Sequence, residues 1–328
     1  MKSLYIYSTF ILAFLVSCND SPKKKQNAEK ATVTAKYQKV GPIFNADSAY
    51  YFIEKQVSFG PRVCNSKAHT ECGDYLTSEF KKYTDEVVVQ KATIANWDKK
   101  QLNIKNIIAS INPNAKKRVI ICAHWDSRPY ADNDPSPANH EKAIDAADDG
   151  ASGVAIMLEM ARLMSKNKPT IGVDFICFDA EDLGKSDLGG DTYCLGSQYW
   201  SKNKHKPGYN ANYGILLDMV GGYNARFIWE GFSMKHAEPV LRKVWDQGIQ
   251  SGYNNYFYYY QGGFITDDHK YMNELSKIPT IDIIHYSEST NTGFPAHWHT
   301  INDKLSAIDK NTLKAVGETL IEVVYKEN

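Results

Sequence analysis

The chain has 328 residues, with 38 basic and 38 acidic side chains, and 43% of it is apolar. The balanced charge offers no basic field of the kind that draws a protein to nucleic acid, so that partner class is excluded. A mean hydropathy of −0.45, with no long apolar run beyond the N-terminus, excludes a polytopic membrane protein. The apolar content is enough for a sizeable core. There is no internal repeat and no Pro/Gly/Ser-rich linker in the middle, which favours one large domain.

Lys2 precedes an apolar run over 4–16, short for a membrane span, that ends in Leu15-Val16-Ser17-Cys18. A short apolar stretch, then small residues and a cysteine, resembles the lipobox of bacterial lipoproteins. That resemblance implies a signal peptide over 1–18, with Cys18 as the lipidated first residue of the mature chain. It also implies attachment to a membrane of the bacterial cell envelope, facing the periplasm. The plainer alternative is an ordinary signal peptide that happens to contain a cysteine. Residues 19–40 are polar and aperiodic and read as a flexible tether, which leaves 41–328 as a single catalytic domain.

Five further cysteines remain: Cys64, Cys72, Cys122, Cys177 and Cys194. An odd number leaves at least one thiol free. Cys122 and Cys177 lie in apolar runs and read as buried thiols, whereas Cys64 and Cys72 are near enough in sequence to pair. No Cys-x-x-Cys is present, which argues against a thiolate zinc site.

In chain order, Asn45 caps a helix over 46–57, with Tyr50, Ile53 and Val57 at helical spacing. Phe59-Gly60-Pro61-Arg62 breaks it, and a second helix follows over about 67–83. Strands are expected over 86–94 and 102–111. Val119-Ile120-Ile121-Cys122-Ala123 is a fully apolar strand that stops at His124-Trp125-Asp126. A proline- and aspartate-rich loop fills 128–148. Asp149-Gly150 opens a helix whose stripe is Val154, Met157, Leu158 and Ala161. A buried strand over 171–178 ends in Asp179-Ala180-Glu181-Asp182, and a glycine-rich loop covers 183–195. Gly214 to Leu217 is a strand stopping at Asp218, and 226–229 reads as an edge strand. A helix is expected over 235–247. The tyrosine-rich stretch 251–260 reads more readily as an aromatic strand on the core than as a substrate surface. A short helix begins at Asp267-Asp268-His269. Residues 279–284 form the last strand, 293–300 a loop, and 308–325 a final helix. Helices alternating with short continuous apolar strands predict an α/β fold: a mixed, largely parallel sheet sandwiched between helices.

Three of these strands end in groups able to bind a metal: His124 and Asp126, Glu181 and Asp182, and Asp218. Asp149 opens a helix, and His297-Trp298-His299 follows the last strand. The carboxyl ends of parallel strands share one edge of the sheet, where ligands bind. Imidazole and carboxylate without thiolate suit a catalytic zinc with an open coordination position. Singly, each residue has a plain reading: Asp149 as a helix cap, Asp218 as a turn cap, His124 as a core histidine, His297 and His299 as loop residues.

Ala123-His124-Trp125-Asp126-Ser127, Ala147-Asp148-Asp149-Gly150-Ala151-Ser152-Gly153, Glu181-Asp182 and Leu217-Asp218 are similar to motifs of the zinc-dependent exopeptidase superfamily. Asp267-Asp268-His269 and Phe294-Pro295-Ala296-His297-Trp298-His299-Thr300 resemble its glutaminyl-peptide cyclotransferase (glutaminyl cyclase) branch. The resemblance covers roughly 45–328. It implies one zinc on Asp149, Asp182 and His299, with Glu181 as general acid and base. It further implies that Asp218 and Asp268 share protons beside Glu181 and that Trp298 lines the substrate pocket. The substrates would be peptides or proteins with an N-terminal glutamine, closed to pyroglutamate with release of ammonia. One departure stands out: the metal-binding acid after the catalytic Glu is usually Glu, and here it is Asp182. Two other readings remain open. A two-zinc aminopeptidase would add His124 and Asp218 as ligands of a second metal. A lipid-anchored binding protein without catalysis is the third.

Overall fold

The computed structural model describes residues 37–327. The signal peptide, Cys18 and most of the tether lie outside the described residues. Residues 37–40 lie against the C-terminal helix: the Lys39 ammonium meets Glu318 at 2.5 Å, and the Val40 and Gly41 amides donate to Glu322 at 3.0 and 2.9 Å.

The helices and strands in chain order are α1 (Ala46–Val57), α2 (Lys67–Tyr83), β1 (Glu86–Ala95), β2 (Gln101–Ile111), β3 (Arg118–His124), α3 (Ala151–Lys166), β4 (Gly172–Phe178), α4 (Leu195–Lys202), β5 (Tyr213–Asp218), β6 (Phe227–Trp229), α5 (Gly231–Gln250), β7 (Phe257–Gln261), α6 (Asp268–Tyr271), β8 (Thr280–Ile284) and α7 (Lys310–Tyr325). The main sheet has the order β1-β2-β4-β3-β5-β8. Strands β4, β3, β5 and β8 are parallel, and β2 and β1 add antiparallel at one edge. The mixed, largely parallel sheet between helices is therefore as expected. The four parallel strands are buried along their whole length, which is why they appear in the sequence as unbroken apolar runs.

One face of the sheet carries the main core, where Phe80, Val154, Leu158, Trp245, Val316 and Leu320 meet Ile121, Phe175 and Ile215. The other face packs Ile120, Ile176 and Leu216 against Trp200 and Met272. The one acid inside β4, Asp174, is held by the Arg118 guanidinium at 2.5 and 2.8 Å and by the Ser110 hydroxyl at 2.6 Å. A buried charge needs such pairing.

Several expectations are corrected. The loop expected over 183–195 holds up to Cys194, whose backbone is left-handed, but the helix that starts after it, α4, is not among the expected elements. The helix expected from 235 begins at Gly231, because the Glu230 carboxylate accepts from the Phe232 and Ser233 amides. Glutamate is not among the usual capping residues, so this start carries little sequence signal. Phe227–Trp229 belongs not to the main sheet but to a small parallel sheet with β7. Of the tyrosine-rich stretch, Phe257 is buried while Tyr259 and Tyr260 are more than half exposed. Cys64 and Cys72 are not paired, and both are buried free thiols. Cys64 packs with Leu102 and Ile104, and Cys72 belongs to the main core.

Candidate active site

The site forms where β3, β4, β5 and β8 end. His124 is the last residue of β3, and Asp149 precedes α3. Glu181 and Asp182 follow β4, and Asp218 closes β5. His299 lies on the loop between β8 and α7.

The turns that present these groups are held by other buried acids. Both oxygens of Asp126 accept amides from the turn after β4, Glu181 N at 3.0 Å and Asp182 N at 3.2 Å. Asp303 does the same before α3, accepting from Asp148 N at 2.8 Å and Asp149 N at 3.1 Å. The Asp149–Gly150 peptide is cis. Asp149 is not a helix cap: Gly150 occupies that position, with no side-chain cap. Ala146, Ala180, Cys194, Met219 and His299 all have positive φ. Left-handed backbone at non-glycine residues stores strain and tends to gather at functional sites.

Asp149, Asp182 and His299 converge, each offering a ligand atom within 4.8 Å of the others. His299 Nε2 lies 3.2 Å from Asp182 Oδ1 and 3.7 Å from Asp149 Oδ2. Its other ring nitrogen faces Asp132 at 3.5 Å, as a metal-binding histidine commonly faces an outer carboxylate. Asp182 Oδ2 is buried with no hydrogen-bond partner among the described residues. Two carboxylates, one imidazole and an orphaned buried oxygen fit a zinc ion. Burial opposes a charge on His299, yet the Asp182 and Asp132 carboxylates push its pKa up to about 9, a sign of how strongly this pocket favours positive charge. A second triad shares Asp149. His124 Nε2 lies 2.8 Å from Asp149 Oδ1 and 3.5 Å from Asp218 Oδ1.

Glu181 belongs to neither triad. Its Oε1 lies 3.1 Å from Cys194 Sγ, and the two fall within 4.8 Å of an Asp267 oxygen. Burial, reinforced by the Asp182 charge, raises the Glu181 carboxyl well above the usual carboxylate range. Asp218 is pushed up to about 7, by burial and then by Asp149. Asp267 reaches about 7 through burial and Asp218, and Asp268 about 8 through burial and Asp267. Glu181, Asp218 and Asp267 open on a cavity of about 400 Å³, lined also by Asp149, Asp182, Trp298 and His299 and by Phe264 and Phe294. Trp298 stacks on the His299 ring at 3.7 Å. A larger hollow, about 590 Å³, lies between Tyr223, Arg226, His285 and Glu288, but among the described residues none of the metal-capable clusters lines it.

All the expected site residues are therefore gathered in one region. Asp268 is fully buried behind the cavity, and it is Asp267 that lines it. Asp267 was not singled out from the sequence, although it sits in the same Asp-Asp-His motif. Arg128, Cys194 and Asp303 also carry no local signal, since each acts through a contact distant in sequence.

Residues 106–324 match the peptidase family M28. The chain belongs to peptidase family M28. Among the solved structures it resembles, the glutaminyl cyclase of Bacteroides thetaiotaomicron bound to N-acetylhistamine is 48% identical. The match covers 88% of this chain and 100% of that one, with a TM-score of 0.86. A Zn-dependent exopeptidase from Parabacteroides distasonis is 49% identical over the same shares, also with a TM-score of 0.86. The bovine glutaminyl-peptide cyclotransferase is 25% identical over 66% of this chain. The M28 chain spans 64% of that relative's length, just under two thirds.

Proposed function

We propose that this M28 protein is a zinc-dependent glutaminyl cyclase that converts the N-terminal glutamine of peptides or proteins to pyroglutamate. The observation that carries the reading is Glu181: a half-buried carboxyl outside both metal triads, beside a second acid, facing the same cavity as Asp149, Asp182 and His299. The name of the Bacteroides thetaiotaomicron relative supports it.

Zinc held by Asp149, Asp182 and His299 would supply a Lewis acid for the amide carbonyl of the substrate. The protein's own residues do the rest. Trp298 and the other lining aromatics hold the substrate so that its α-amine faces its own side-chain amide. Glu181 takes a proton from the α-amine as the new N–Cδ bond forms. The same carboxyl then returns the proton to the amide nitrogen as the Cδ–N bond breaks and ammonia leaves. A group that both accepts and donates works best with a pKa near neutrality. Burial and the neighbouring acids Asp182, Asp267 and Asp268 move Glu181 upward in that direction.

The two-zinc aminopeptidase is the second reading. It is favoured by the convergence of His124, Asp149 and Asp218. Mass analysis of a glutamine-initiated peptide after incubation separates the two: loss of ammonia supports the cyclase, and loss of a residue supports the aminopeptidase. We also infer that Cys18 anchors the chain by lipid in the cell envelope, with 19–40 as tether. The apolar run over 4–16 followed by Ser17-Cys18 supports this, and mass analysis of the mature N-terminus tests it.

A further inference from the structure

Beside and behind the cavity the chain buries more acidic side chains than the proposed reaction uses. Glu230, Asp267, Asp268 and Asp282 are each at most 4% exposed, and His269 lies among them at 0%. Its Nε2 meets Glu230 Oε1 at 2.8 Å. The Glu230 carboxylate already accepts from the Phe232 and Ser233 amides, so it is an ionised acceptor and Nε2 carries the proton. The opposite nitrogen, Nδ1, points at Asp282 Oδ2, 3.6 Å away. A neutral ring would then turn a lone pair toward a carboxylate oxygen. A proton on the ring or on the acid would remove that repulsion.

Both Asp282 oxygens, His269 Nδ1, Asp267 Oδ2 and both Asp268 oxygens are buried without a hydrogen-bond partner among the described residues. Asp267, His269 and Asp282 offer atoms within 4.8 Å of one another, and Asp267 reaches Glu181 and Cys194 within the same limit. A line of carboxyls therefore runs from Glu181 through Asp267 to Asp282, with His269 held by Glu230 at one nitrogen and facing Asp282 with the other. Because Asp267 caps α6 and His269 lies in its first turn, fixing the ring fixes the Asp267-Asp268 backbone.

We propose that His269, held by Glu230 and facing Asp282, is a positioning residue: it holds a proton behind Asp267 and Asp268 and so sets the orientation and charge of the acids beside Glu181. The reaction it serves is the cyclisation proposed above.

The test compares the zinc-loaded wild type with His269→Gln and the isosteric Asp282→Asn on a glutamine-initiated peptide. The kcat of each variant is expected to fall roughly tenfold, part of what a proton-transfer group contributes. KM should move by less than about twofold, and zinc content should stay unchanged, as expected for an effect on the reacting step alone. In an Asp268→Asn background, Asp282→Asn should cost little more, because residues acting through one network are not additive. Three results would overturn the proposal: kcat retained in both variants, the same factor lost again in the Asp268→Asn background, or a second equivalent of divalent metal present in the wild type and missing from Asp282→Asn. The last would mean that a cation, not a proton, fills the site. If the wild type releases an amino acid and no ammonia, the cyclase reading fails. The same kcat comparison on that reaction then judges the role of His269.

Discussion

The Arg128 guanidinium lies 3.1 Å from Asp182 Oδ1, the oxygen that also faces His299. Its other edge grips Asp132 at 2.7 and 2.5 Å, and Asp132 in turn faces His299 Nδ1. One buried arginine thus steadies two of the three groups expected to hold zinc. Asp182 has a shorter arm than the glutamate usual at this position, and Arg128 pins that arm at a carboxylate oxygen.

Replacing Arg128 with Met should therefore weaken zinc binding by about 10- to 100-fold, the usual effect of removing an outer partner of a metal ligand. Competition against a chromophoric chelator reads this directly. Arg128→Lys should recover only part of it, since an ammonium cannot span both acids as a planar fork does.

Asp218→Asn should keep its zinc. In the one-metal arrangement Asp218 lies outside the ligand set, and its contact is with His124. Metal analysis of the purified variant should give the same content as the wild type. A two-zinc aminopeptidase would lose one equivalent.

The Glu230–His269 pair makes stability depend on pH from both sides. Its His269 neighbour, set against burial, holds Glu230 down to about 2, so this contribution is present above an unfolded value of about 4.3 and is lost as pH falls through the folded value. His269 is raised by Glu230 against the cost of burial. Its share is therefore full below about 6.5 and lost as pH rises through the higher folded value. Urea unfolding of wild type against Glu230→Gln should show the largest gap between about pH 4.5 and 6.5, narrowing on both sides.

Gly153→Ala should destabilise the fold. A Cβ there would sit 2.5 Å from the Leu217 carbonyl oxygen and 2.8 Å from Ala123 Cβ. Helix α3 approaches β3 and β5 too closely for a methyl group. Overpacking of this kind costs about 1–3 kcal/mol, and the denaturant midpoint should fall with an unchanged slope.

The parallel strands and most helices were legible because burial on both faces writes a continuous apolar run, and a core-facing helix writes a 3.6-residue stripe. The ligands were legible because they stand where those runs stop. What the sequence hid depends on contacts between distant segments. Glu230 caps α5 from an unusual residue type. Cys194 reaches Glu181 only because a left-handed turn folds the loop back. Asp267 and Asp268 are adjacent in sequence, and nothing local says which faces the cavity. Cys64 and Cys72, eight positions apart, end in different cores.

The most direct test is Glu181→Gln, assayed for zinc and for ammonia release from a glutamine-initiated peptide. The substitution keeps the shape of the side chain and removes its ability to carry a proton. Full zinc content with turnover reduced by at least about 100-fold is the expected result. Wild-type turnover in a zinc-loaded variant would contradict it and remove Glu181 from the proton-transfer role.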